Sequence, residues 1–116
     1  MKLLFVINEF LENAGFSFVY GAFRSAAETR NVSLAVKTNA DLSVSLPAKT
    51  DFDGVIFWDK DVLLAERLEN AGFRLFNSAK AIEICDSKQK TALCFEKHGI
   101  PSPTTVISPK TICAWY

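Results

Sequence analysis

Three short apolar runs set the limits on what this chain can fold into. Leu3-Leu4-Phe5-Val6-Ile7 is uninterrupted. Five residues are too few for a helix, but they suit a strand covered on both faces, as in parallel sheets with helices above and below. Residues 32 to 36, broken by Ser33, read as a further short strand, and residues 54 to 58, Gly-Val-Ile-Phe-Trp, have the same character as the first run. Between the first two runs, Phe16, Val19, Ala22, Phe23, Ala26 and Ala27 recur at three- and four-residue steps, the period of a helix that packs one face on that sheet. Between the second and third, residues 37 to 53 are polar, contain Pro47 and show no helical period. The alternation of Leu42, Val44 and Leu46 predicts at most a short extended piece there.

The later half continues the alternation. Asp59 or Asp61 is placed to cap a helix over residues 62 to 71, and Gly72 is placed to end it. Residues 73 to 76 then read as a fourth strand. Ser78 caps a short helix to about Cys85, and Asp86 caps the next, over residues 87 to 98, with Ala92, Leu93 and Phe95 as its apolar face. His98-Gly99-Ile100-Pro101 is a full stop signal of basic residue, left-handed glycine, apolar residue and proline. Residues 104 to 107, between Pro103 and Pro109, read as a fifth strand at an edge. Strands alternating with helices at this spacing predict an α/β fold: an open, mostly parallel, doubly wound sheet of about five strands with helices on both faces. The hexapeptide Leu-Glu-Asn-Ala-Gly-Phe occurs at residues 11–16 and again at 68–73. Its flanks do not match, so no repeat architecture follows.

Charge and cysteine content exclude several function classes. Thirteen Lys and Arg balance thirteen Asp and Glu in 116 residues, without the clustered cations that nucleic acid or an anionic membrane requires. No apolar stretch approaches the ~20 residues of a membrane span, and the opening apolar run stops at Asn8-Glu9, too early for a secretion signal. Cys85, Cys94 and Cys113 show neither a Cys-x-x-Cys spacing nor paired histidines, which predicts buried free thiols, no zinc site and a reducing, cytoplasmic address.

In open α/β sheets ligands sit beyond the carboxyl ends of the strands, which directs attention to Asn8 and Glu9, residues 37–39, residues 59–61, Asn77 and Ser78, and residues 108–110. No Gly-x-Gly-x-x-Gly follows the first strand and no Walker lysine occurs, so an ordinary dinucleotide or P-loop site is not expected. His98, the one histidine, reads as a helix-terminal residue. Lys88 and Lys90 fall in the first turn of their helix, where the macrodipole disfavours cations by a few tenths of a kcal/mol. A phosphate at that helix start would account for them; so would solvated lysines offset by Glu83 and Asp86.

Residues 71–78 (Ala-Gly-Phe-Arg-Leu-Phe-Asn-Ser), 81–88 (Ala-Ile-Glu-Ile-Cys-Asp-Ser-Lys), Thr91 and 97–105 (Lys-His-Gly-Ile-Pro-Ser-Pro-Thr-Thr) together carry a pattern. It is an asparagine-serine after a strand, a short helix, an acid and a lysine, a helix, then Gly-Ile-Pro-x-Pro-Thr. The pattern resembles the entry to the catalytic core of ATP-grasp ligases, in which a small Rossmann-like pre-ATP-grasp domain precedes a two-lobed nucleotide clamp. The resemblance implies that residues 1–100 are such a domain and that residues 101–116 begin a truncated ATP-grasp domain. It implies that Lys88 contacts nucleotide phosphates, and that Asn8, Glu9 and Asn77 hold the acceptor substrate. It also implies ATP and Mg²⁺ in the complete protein, small carboxylate and amine substrates, and C-terminal lobes as partners. The nine residues after Ile107 are too few to supply the clamp or the magnesium ligands, so this chain alone is expected to be inactive, an N-terminal domain of a carboxylate-amine ligase.

Two other readings fit parts of the sequence. Receiver domains of signalling proteins share the length and alternation, with a phosphoacceptor aspartate after the third strand, which would be Asp59, and a lysine after the fifth, which would be Lys110. Asn8-Glu9 stands where a receiver has paired acids. A non-catalytic interaction domain is the other reading: Phe10, Phe16 and Phe18 near the first loop and Trp115-Tyr116 at the end could form a patch for missing lobes or for a homodimer.

Overall fold

The structure, a computed structural model, describes residues 1–11 and 15–106. They divide into two units, Met1–Ile82 and a second beginning at Glu83. The first holds four parallel strands, β1 (Lys2–Ile7), β2 (Ser33–Thr38), β3 (Gly54–Trp58) and β4 (Leu75–Phe76), in the order β2-β1-β3-β4. The helices of the described chain are α1 (Ser17–Thr29), α2 (Asn39–Val44), α3 (Val62–Asn70), α4 (Ala79–Asp86) and α5 (Lys88–Lys97).

β1 lies between β2 and β3, and its side chains alternate between two cores. Leu4 and Val6 enter a large core with Leu42, Phe52, Val55, Phe57, Leu64, Ala65, Leu68, Phe73, Leu75, Ala79 and Ile82. Phe5 and Ile7 enter a smaller one with Tyr20, bordered by Phe16, Val19, Phe23, Leu34, Val36 and Ile56. β1 is apolar without interruption because its pleat places successive residues on opposite faces and both faces are covered. Helices therefore lie on both sides of an open parallel sheet, α1 on one and α2, α3 and the start of α4 on the other.

Three helices end in the same way. Asn31, Gly72 and Gly99 have φ of 53°, 88° and 64°, and the next residue donates its N–H back into the last turn: Val32 to Ala27 O, Phe73 to Leu68 O, Ile100 to Phe95 O. This is the Schellman closure, which needs a left-handed residue. The Gly99-Ile100 stop signal acts as expected. Asp61 Oδ1 accepts from Leu64 N at 2.9 Å, so Asp61, not Asp59, caps α3.

Several expectations need correction. Residues 39–44 form α2, where at most an extended piece was predicted: Thr38 Oγ1 accepts from Asp41 N and Asp41 Oδ2 accepts from Thr38 N, a reciprocal capping box. Those bonds hold the Asp41 carboxyl below its ordinary pKa. A cap of this kind nucleates a helix too short to display a period. In the second unit Ser87, not Asp86, caps α5, its Oγ accepting from Lys90 N. No strand forms over residues 104–106, and Ile107 lies outside the described residues, so the described sheet has four strands rather than five. Pro101 and Pro103 lack the N–H groups that a ladder uses. Cys85 is exposed and Cys94 half-buried rather than buried; Cys113 lies outside the described residues. On α1 the buried residue is Tyr20, while Ala22 and Ala26 are exposed. Its ring fills the space between Phe5 and the helix, at 6.0 Å from the Phe5 centroid, and its hydroxyl donates to Leu11 O at 3.1 Å. No helix of the described residues is long and apolar enough to cross a membrane.

Candidate functional site

The chain leaves β1 on one side toward β2 and returns on the other as β3, so the carboxyl ends of β1 and β3 flank a topological switch point. The register fixes what meets there. Ile7 pairs with Trp58, so the next residues, Asn8 and Asp59, emerge side by side although 51 positions separate them. Asn8 Nδ2 donates to Asp59 Oδ1 at 2.9 Å. Asn8 Oδ1 in turn accepts from Phe10 N at 2.9 Å and turns the chain into the single 3₁₀ turn Glu9–Leu11. Lys60 N also donates to Asp59 Oδ1, at 2.7 Å. The carboxyl group is thus oriented by two donors on one oxygen, one of them an amide that is itself held by the backbone. Its other oxygen, Asp59 Oδ2, is buried and has no hydrogen-bond partner. A buried acceptor in that condition costs about 1–3 kcal/mol relative to one that is satisfied.

A cleft of about 450 Å³ opens at this point, lined by Asn8, Leu11, Phe57, Trp58, Asp59, Lys60 and Asn77. β3 pairs with β4 at Ile56 and Phe76, which brings Asn77 to the same rim; the Phe76–Asn77 peptide is cis. Trp58 is 40% exposed, and its ring meets Phe23 edge-on at 5.4 Å. The cleft therefore has an aromatic and aliphatic floor with a few convergent polar groups, the usual character of a small-molecule site.

Two of the three residues expected on the substrate side, Asn8 and Asn77, are brought together here. Glu9 is not. Its N–H donates to Asn39 Oδ1 at 2.9 Å and its side chain is exposed away from the cleft lining, because the 3₁₀ turn directs consecutive residues to different sides. Lys88 is exposed in the first turn of α5, in the second unit. Lys90, beside it in sequence, forms an ion pair with Glu83, which offsets the dipole for that lysine; no ion pair holds Lys88 among the described residues. His98 caps the end of α5 with Nδ1 2.8 Å from Cys94 O, the structural role expected of it. Of the aromatic patch, Phe10 and Phe18 are exposed, Phe16 packs on the smaller core, and Trp115 and Tyr116 lie outside the described residues. The apolar face expected on α5 is not buried, with Leu93 and Phe95 exposed.

Asp59 and Lys60 were legible as positions beyond a strand end, and Asp59 also as a helix cap or a phosphoacceptor, but no substrate role was assigned to them, and Trp58 was not legible as a site residue. The available signal was positional: Asn8 and Asp59 are each the first polar residue after a fully apolar run. Only the strand order, which makes β1 and β3 neighbours, turns that into a contact.

No family model matches the chain. It is 32% identical over 100 residues to an uncharacterized Mycoplasma pneumoniae protein, the MG012 homologue, an alignment that takes in 80% of this chain and 34% of that protein. The chain thus spans about a third of the length of the curated relative it matches.

Proposed function

We propose that the chain is the N-terminal, substrate-side domain of an ATP-dependent carboxylate-amine ligase, of the pre-ATP-grasp kind, and is not catalytic alone. The observation that supports this best is the rim cleft that joins Asn8 and Asn77 at the β1/β3 switch point, because the resemblance implies a substrate role for both. In this reading a carboxylate is activated as an acyl phosphate and then attacked by an amine. This domain contributes orientation: Asn8 and Asp59 fix each other, Asn77 offers an amide from β4, and Trp58 and Leu11 exclude water from one side of the bound substrate. Lys88 would meet nucleotide phosphate, aided by the unpaired N–H groups at the start of α5. Among the described residues no group of three or more His, Cys, Asp or Glu could hold a metal ion, so ligands for Mg²⁺ would come from outside them. The receiver reading has less support, because the side chain that meets Asp59 from β1 is an amide rather than a second carboxylate. Its Lys110 lies outside the described residues.

In a longer frame that carries this chain, ADP release is expected to require a carboxylate and an amine together. Lys88→Ala is expected to lower kcat/KM for ATP at least tenfold, the size of effect seen when one charge on a transferring phosphoryl group is removed. Unchanged turnover in Lys88→Ala would remove Lys88 from the site, and ADP release indifferent to the amine would remove the ligase reading.

A further inference from the structure

We infer that Asp59 Oδ2 is the anchoring acceptor of the rim cleft, taking a hydrogen bond from the ammonium group of a ligand whose apolar part lies against Trp58 and Leu11. The inference rests on the cleft being a substrate site, as proposed above, and goes beyond it by naming the residue and the ligand group it selects. The two oxygens of Asp59 are unequal. Oδ1 is saturated by Asn8 Nδ2 and Lys60 N at 2.9 and 2.7 Å. Oδ2 is buried without a donor, on a carboxyl whose orientation those two bonds already hold. Here one oxygen locks the group and the other is left without a partner, on a residue that lines the cleft.

The chemistry of the missing partner follows from the acceptor. A carboxyl oxygen needs a donor, and an ammonium gives the strongest and most directional match, a charge-assisted N–H···O bond. A ligand carboxylate or phosphate has no proton to give and would be repelled by the same group. The remaining lining limits the rest of the ligand. Phe57, Trp58 and Leu11 supply an apolar wall, and an indole that is 40% exposed, as in Trp58, also favours a neighbouring cation. Asn8 has both ends of its amide engaged, so it positions Asp59 rather than reading the ligand. Asn77 is left to read a polar group at the other edge of the cleft.

The test is a two-dimensional amide NMR titration of the intact chain with two probes of equal shape and opposite charge, phenethylammonium and 3-phenylpropionate. Phenethylammonium is expected to shift the Trp58 indole and the Asn8 and Asn77 side-chain amides saturably, with 3-phenylpropionate leaving them in place. Asp59→Asn, with its oxygen kept toward Asn8, puts an N–H₂ donor in place of Oδ2, and is expected to weaken phenethylammonium at least tenfold. The comparison of probes on the unaltered chain needs no variant to fold. Equal binding of both probes, or unchanged affinity in a folded Asp59→Asn, would overturn the role of Asp59 while leaving the cleft a ligand site. Absence of any shift at Asn8, Trp58 and Asn77 with either probe would overturn the inference and the substrate role of the cleft together, and would leave water as the partner of Oδ2.

Discussion

Phe5→Ala is expected to cost about 3–5 kcal/mol of folding stability, the range for deleting a fully buried aromatic ring. Phe5 has no exposed surface, sits on the central strand, and stacks against Phe23 at 4.6 Å and Tyr20 at 6.0 Å. Among the described residues the smaller core has two other buried members, Ile7 and Tyr20, so little surrounds the ring that could collapse into the cavity. Against a total of about 5–15 kcal/mol for a domain of this size, that is at least about a fifth of the margin. The loss is expected to be local first: α1 is held to the sheet through this cluster, so its amides should exchange faster than those of β1 and β3 well below the unfolding transition. Hydrogen exchange followed by mass spectrometry reads this directly. Uniform acceleration over sheet and helix would show that the two cores are one cooperative unit.

Leu68→Ala probes the opposite face, with an expected cost of about 2–5 kcal/mol. Leu68 is fully buried in the large core, against residues of α2, α3, α4 and three strands, and its carbonyl also accepts the closing bond from Phe73 N. Here the neighbours are numerous and fixed from several elements. The expected signature is therefore a lower urea midpoint with an unchanged denaturant slope and no selective loosening of α1. Because the two side chains sit on opposite faces of the sheet and share no cluster, the double variant should lose the sum within about 0.5 kcal/mol, if it still folds. A large departure from additivity would mean that the sheet transmits packing between its faces.

The parts of the fold legible in the sequence were those with long or redundant signals. β1 and β3 announced themselves because burial on two faces leaves no polar position, and α3 because a cap, an apolar stripe and a Gly stop coincide from Asp61 to Gly72; α5 was legible by its Gly99 stop, although its cap is Ser87 rather than the expected Asp86 and its expected apolar face is exposed. Helix α2 was not legible. Six residues give fewer than two turns, so there is no period to see, and the information lies in the Thr38 and Asp41 pair rather than in apolar spacing. The predicted fifth strand failed for the opposite reason: Thr-Thr-Val has strand propensity, but propensity makes a strand only where a neighbouring ladder receives it. Tyr20 was overlooked on α1 because small alanines were counted as core, although an alanine's short side chain often leaves it at the margin of a helix face.

The site was half legible for a related reason. Asn8 and Asn77 follow strands in the sequence, which any reader can see. The bond between Asn8 and Asp59 depends on β3 lying next to β1 with Ile7 level with Trp58, a fact of tertiary register that no local pattern carries. The unshared oxygen of Asp59 is a further step removed, since it follows from where Asn8 Nδ2 and Lys60 N donate.

The most direct measurement is the fate of carboxylate oxygen in the full-length Mycoplasma pneumoniae relative, of which this chain matches about a third. With a carboxylate substrate labelled in both oxygens with ¹⁸O, an amine and ATP, the phosphate released with ADP should carry one ¹⁸O atom, seen as an isotope shift in the ³¹P spectrum, because the bridging oxygen leaves with phosphorus when nitrogen takes its place. Phosphate that acquires its fourth oxygen from solvent water, with the label wholly retained in the carboxylate, would contradict the account.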